Sequence, residues 1–241
     1  MISCSDRSVA QIKSAYLQLG HTLGWRFLTG AKSSLSAGAQ IGFITLNPGG
    51  SAESADHPRA SCESGNAYLT ETWPVNAPGA APLQRQVQML FTELKAKLAD
   101  DSSLADFMDK EVMSAYFIPF RSPSIAALPF RKESLHFAIG LWEGIFESWL
   151  PRLILTIDNE SFGEITNILS ARPGALRIDA RRFPTGWGNY EADVVRLSGV
   201  REDVPVTIAR LPHLSRFQLF GNPARAPQLD AFLEYLAEQL A

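Results

Sequence analysis

The residues of this chain best suited to polar chemistry fall into four short clusters: Asn47-Pro48-Gly49-Gly50, Pro119-Phe120-Arg121-Ser122-Pro123, Asp158-Asn159 and Leu211-Pro212-His213. They bring amide, guanidinium, hydroxyl, carboxylate and imidazole groups, mostly set among turn-forming residues. Spacing alone disfavours several chemistries. Cys4 and Cys62 are too few for a four-cysteine zinc or iron–sulfur site, and His21, His57, His136 and His213 are too scattered for a local metal motif. No Gly-x-Ser-x-Gly elbow and no Gly-x-x-x-x-Gly-Lys-Ser/Thr loop occurs, which disfavours a serine hydrolase and a phosphate-loop nucleotide hydrolase. The expectation is a site that works without metal or cofactor.

Each cluster directly follows an apolar run, and these runs must position it. Ile41 to Leu46 is almost unbroken and stops at Asn47, as a strand buried on both faces would. Val112 to Ile118, Leu153 to Ile157, Val194 to Leu197 and Val204 to Ala209 read as further strands. Between them lie one-sided helices. Val9, Ile12, Tyr16 and Leu19 mark the first, with Ser5 as its cap; Val87, Leu90, Phe91, Leu94 and Leu98 mark the second. Leu135, Ile139, Trp142, Phe146 and Trp149 give a third, capped by Ser134 and stopped by Pro151. Ile165, Ile168 and Leu169 belong to a fourth, and Leu229, Phe232, Leu233, Leu236 and Leu240 to a fifth.

Alternating strands and helices predict an α/β fold, a three-layer α/β/α sandwich with a mostly parallel central sheet. Right-handed crossovers put the strand ends on one edge, where ligands bind near the point at which strand order reverses. The four clusters should therefore converge on one cleft. One domain spans residues 1–241, with 1–40 as an N-terminal helical extension. Residues 51–83 form a long pocket loop without periodicity. Tyr68 and Trp73 lie in that loop, where they could stack on a flat ligand or simply pack the loop.

The chain has 241 residues, 46% hydrophobic and 20% charged, with a formal net charge of −3. That composition suits a soluble globular protein and excludes a disordered tail. The charge argues against a polybasic nucleic-acid coat but leaves room for a local basic groove. No apolar run is long enough to span a bilayer, and no cationic flank precedes an apolar stretch at the start. A cytoplasmic protein is expected, and with it reduced cysteines.

The ordered clusters resemble the uracil-DNA glycosylase superfamily. Gly42-Phe43-Ile44-Thr45-Leu46-Asn47-Pro48-Gly49-Gly50 resembles its first motif in the Asn-Pro-Gly form. Leu211-Pro212-His213-Leu214-Ser215-Arg216, followed by Gly221-Asn222-Pro223, is similar to its closing His-Pro-Ser motif. Met113 to Pro123 and Pro151 to Ile157 look like the strands between. The resemblance implies hydrolysis of the bond between a base and deoxyribose, with the nucleotide flipped out of the helix. Asn47 would position the attacking water, and His213 would hydrogen-bond the leaving base, as neutral imidazole. Pro48, Gly49, Gly50, Tyr68, Trp73, Tyr116 and Phe120 would bind the base and sugar. Arg121, Ser215 and Arg216 would hold DNA phosphates, and Phe217 or Leu214 would fill the vacated stack.

Departures from the family pattern bear on the base. The asparagine that many members use to read the pyrimidine edge falls near Tyr116 here, and the aspartate of the fastest uracil-removing members is missing from the first motif. His-Leu-Ser replaces His-Pro-Ser. These changes suit a bulky or modified pyrimidine as well as uracil, and a role in phage defence as well as repair. The expected partner is DNA, with no membrane and no obligatory protein partner, for a monomer. Arg121, Arg131, Lys132, Arg181 and Arg182 form either a DNA-facing surface or separate solvated charges. Asp158 and Glu63 could contact substrate, but each is by default a solvated loop acid. Two alternatives remain: an inactive DNA-binding module of the same fold, and a nucleoside hydrolase.

Overall fold

A computed structural model describes residues 3–36, 38–50, 57–202 and 204–241. Along the chain come α1 (Cys4–Leu19), α2 (Ser33–Ser36), β1 (Ile41–Thr45), α3 (Ala67–Thr70), α4 (Pro82–Lys97), α5 (Leu104–Lys110), β2 (Val112–Tyr116) and α6 (Arg131–Ser148). Then follow β3 (Leu153–Thr156), α7 (Asn159–Ser170), β4 (Leu176–Pro184), β5 (Glu191–Ser198), β6 (Val206–Arg210) and α8 (Ala226–Leu240). The strands make one sheet in the order β2-β1-β3-β6-β5-β4. The first four are mutually parallel, and β5 and β4 continue the sheet antiparallel.

Side-chain alternation splits the core into two halves. Ile41, Phe43, Leu153, Leu155 and Ala209 point to the side packed by α4, α5 and α8. Ile44, Ile154, Val206 and Ile208 point to the side packed by α1, α6 and α7. Every residue of β1 and β3 is buried because both faces are covered. The molecule is thus an α/β fold with helices on both faces of a mostly parallel sheet. β1 lies between β2 and β3, so the chain leaves it to one side and returns on the other. Asn47 follows β1 at that reversal, where such sheets open a crevice.

Several local expectations are corrected. Ser3 rather than Ser5 caps α1, its side chain accepting the Asp6 N–H. Ser134 does not cap α6, which starts at Arg131 after Phe130 in a left-handed conformation (φ 50°). Ser134 is instead buried within the helix, 2.9 Å from His21 Nε2. Residues 1–40 are not simply a helical extension. Trp25, Phe27 and Leu28 are buried, and isolated bridges tie Trp25 to Phe120 and Leu28 to Ala115. Edge strand β4 has no buried residue and so no apolar pattern to reveal it. The last parallel strand begins at Val206, two residues later than its apolar run suggests.

Of the 51–83 loop, residues 51–56 lie outside the described residues. The remainder is organised by amide side chains. Asn66 caps α3 by accepting the Tyr68 N–H and donates to Ser114 Oγ. Gln84 Nε2 donates to the carbonyls of Ala67 and Glu71, and Gln88 Nε2 to those of Tyr68 and Gly79. Satisfying buried carbonyls in this way lets an irregular segment pack against α4. Cys4 and Cys62 are free thiols, and no described helix is long and apolar enough to cross a membrane.

Candidate functional site

A cleft of about 720 Å³ opens along the carboxyl ends of the parallel strands. The exits of β1, β2, β3 and β6 supply Asn47, Tyr116, Asp158 and His213, and the 66–79 segment forms one wall with Tyr68, Glu71 and Trp73. The volume is within the usual range of small-ligand pockets.

Asn47 is oriented by two hydrogen bonds of its own and a third behind them, whose directions are fixed by chemistry. Its Nδ2 lies 3.2 Å from the Pro48 carbonyl, which can only accept, so that end of the side chain must be the NH2 group. Nδ2 also donates to Ser122 Oγ at 2.9 Å, and Ser122 in turn donates to the Ser124 carbonyl at 2.7 Å. The carbonyl Oδ1 has no protein donor among the described residues. An amide held in this way presents an acceptor suited to orienting a water, although it is too weak a base to remove a proton.

His213 stands at the cleft mouth, with Nδ1 2.8 Å from Ser215 Oγ. The residue as a whole is exposed. Desolvation of its ring by the surrounding protein lowers its pKa, against a smaller opposing pull from its own backbone carbonyl. The ring is neutral at pH 7.

The opposite wall holds a buried ion pair. Glu71 takes a bidentate contact from Arg26 (2.7 and 2.6 Å), a third bond from Arg59 at 2.6 Å and one from Trp73 Nε1 at 3.3 Å. Burial is the largest single influence on Glu71 and opposes its charge, but Arg26, Trp73 and Arg59 together overcome it and hold the pKa at about 2. Arg26 is only 5% exposed. Two cationic partners and an indole N–H thus fix the wall on which Tyr68 and Trp73 ride, their rings 5.6 Å apart edge to face.

The cleft gathers Asn47, Pro48, Gly49 and Gly50, together with Tyr68, Trp73, Tyr116 and His213. Tyr68 contributes from a core position, 1% exposed, so only its edge reaches the cleft. Phe120 is not a binding residue. It is fully buried, stacked on His21 (4.3 Å) and Phe137 (5.4 Å), because the Trp25 segment covers it. Arg121 lines the cleft as well, 4% exposed, with its Nε donating to the Gly49 carbonyl at 2.9 Å, which ties it to the first loop.

Ser215 and Arg216 are exposed outside the cleft, and Ser215 is engaged with His213. Phe217 is half-buried against Tyr190 at 4.3 Å, and Leu214 is fully buried, so neither stands free as a wedge. The five basic residues do not form one face. Arg131 pairs with Glu160, Arg181 with Asp179, and Arg182 with Glu191 and Asp193.

Sequence reasoning missed Arg26 and Glu71, which are 45 residues apart and carry no motif. Asp158 is not a solvated loop acid, and its cluster meets the cleft as its place at a strand exit leads one to expect. It lines the cleft and caps α7 through Oδ1 (Ser161 N–H, 2.7 Å), while Oδ2 is buried without a partner among the described residues. The signal available was Asp158-Asn159 at the exit of a buried strand, which marks a cap as readily as a site. No described group of three or more His, Cys, Asp or Glu is placed to hold a metal. Fold and cleft define an α/β protein with a cleft at the sheet's switch point. The chain matches no protein-family model and no curated protein.

Proposed function

We propose that this protein is a monofunctional DNA glycosylase of the cytoplasm that hydrolyses the bond between a flipped-out pyrimidine and its deoxyribose. The observation that carries the reading is the pair formed by Asn47 and His213 at one cleft, the first with an amide carbonyl that has no donor among the described residues and the second a neutral imidazole. Cleavage develops positive charge on the sugar and negative charge on the base. Asn47 Oδ1 holds a water against C1′, and the His213 ring donates to a carbonyl oxygen of the base as it leaves. Trp73 and the edge of Tyr68 give the flat ring a stacking wall. Gly49, around which a Cβ would meet nothing within 4 Å, leaves space for the sugar.

The test is base release from oligonucleotides carrying uracil, mismatched thymine, or hydroxymethylated or glucosylated cytosine, read as strand scission after hot alkali. Release by the wild type that is lost in Asn47→Ala, with DNA binding retained, supports the reading. Salt-sensitive binding without release by either protein favours an inactive binding module, and salt-insensitive cleavage of free nucleosides favours a nucleoside hydrolase.

A further inference from the structure

Asp158 stands at the middle of the cleft by construction of the sheet. Leu155 of β3 pairs with Phe43 of β1 on one side and Ala209 of β6 on the other. Asp158 lies three residues beyond Leu155, Asn47 four beyond Phe43, and His213 four beyond Ala209. Neighbouring strands are about 4.8 Å apart, so the exit of β3 is one strand spacing from each of the other two. The exit of β3, which carries Asp158, thus lies between the strand exits that carry Asn47 and His213.

Capping does not account for this residue fully. A cap uses one oxygen, and Asn performs it as well as Asp. Oδ1 is so used, but Oδ2 is withdrawn from water with no partner among the described residues. Burial raises the pKa to about 6, against the N–H and hydroxyl of Ser161 and the N–H of Glu160, with the Glu160 charge adding to the rise.

The other ionisable groups around the cleft are poor proton donors near neutrality. Glu71 is locked as a carboxylate, and burial holds the rings of His213 and His57 neutral. Tyr68 and Tyr116 are pushed up by burial, and Arg26 and Arg121 keep their protons. A carboxyl poised between its two states matters for one kind of leaving group. Uracil departs as an anion spread over two carbonyls. A cytosine-type base has an amino group in place of one carbonyl and departs poorly unless protonated.

We infer that Asp158 is the proton donor to the departing base, and that the cleft takes a cytosine-type base in preference to uracil. The inference rests on the glycosylase reading above. The C1′–N1 bond breaks with its electron pair on the base, the Asp158 carboxyl proton passes to the base, and the base leaves neutral. Water adds to C1′, and the proton it sheds returns to the Asp158 carboxylate.

The experiment is single-turnover release of 5-hydroxymethylcytosine and of uracil from otherwise identical duplexes, by wild type and Asp158→Asn, across about pH 5 to 8. The substitution keeps the cap and removes the acid. Wild type should release the cytosine-type base faster than uracil, at a rate that falls as pH rises through about 6. Asp158→Asn should fold and bind DNA as wild type does, yet release that base roughly 10²–10⁴-fold more slowly and without that pH dependence. An unchanged rate and pH profile in Asp158→Asn, or a wild type that prefers uracil, overturns this inference while leaving the glycosylase reading in place. A wild type that releases neither base overturns the inference together with the reading beneath it.

Discussion

Ser122 Oγ stands 2.9 Å from Asn47 Nδ2, joining the loops that leave β1 and β2 and deciding which end of the amide faces the cleft. The Ser122 hydroxyl proton is committed to the Ser124 carbonyl, so its oxygen can only accept from Asn47. Turning the amide over would set Oδ1 against the Pro48 carbonyl and against a hydroxyl with no proton to offer.

Ser122→Ala should therefore lower base release by about 10- to 100-fold, as expected for lost orientation, with little change in DNA affinity. Ser122→Thr keeps the hydroxyl and should restore part of the rate. Single-turnover rates beside equilibrium binding for the two variants check this; parallel losses of both would assign Ser122 to structure alone.

Gly50 adopts φ +107°, and a Cβ there would come within 2.3 Å of Arg121 Nη2. Gly50→Ala is expected to destabilise the fold by roughly 1–3 kcal/mol through backbone strain and displacement of Arg121. Gly49→Ala meets no neighbour and should unfold with the wild type while slowing release, because its methyl enters the cleft. Thermal unfolding and release measured on both variants separate the two glycines.

Arg26, Trp73 and Arg59 hold the Glu71 carboxyl at about 2 in the folded protein, well below its ordinary value of 4.5. Its folded pKa is depressed, so its contribution is present above the unfolded value and is lost as pH falls from 4.5 toward 2. The shift corresponds to at most about 3 kcal/mol. Glu71→Gln should remove that limb from the acid unfolding profile. At pH 7 it should destabilise the protein by roughly 3–5 kcal/mol, because Arg26 is left buried without its counter-charge. Chemical denaturation as a function of pH provides the measurement.

Asp158 has the opposite sign. Its folded pKa is raised from 3.8 to about 6, so the native state holds a proton that the unfolded chain has lost between those values. Stability therefore falls as pH rises through that window. Asp158→Asn should match the wild type near pH 4 and exceed it by roughly 1–3 kcal/mol above pH 6, since no buried charge forms. Equal stability of the two proteins at pH 7 would show that the native carboxyl ionises without penalty.

The four parallel strands and the long helices were legible in the sequence for a local reason. Burial on both faces demands unbroken apolar runs such as Ile41–Thr45, and burial on one face demands the period of Leu229, Phe232, Leu233 and Leu236. Chain direction in a parallel sheet then placed Asn47, Tyr116 and His213 on one edge. The structure decided what those patterns do not encode. β4 is exposed along its length, so no apolar period marks it. Phe120 faces inward because Trp25 covers it, and the Gly49 carbonyl ties Arg121 to the first loop; neither contact is near in sequence. The Arg26–Glu71 pair, the Ser122 hook and the idle Asp158 oxygen likewise depend on partners or shielding supplied by distant segments. Desolvation and long-range hydrogen bonding belong to the packed neighbourhood, so only the tertiary structure could turn residues of the right type into one cleft with a fixed amide and a shielded carboxyl.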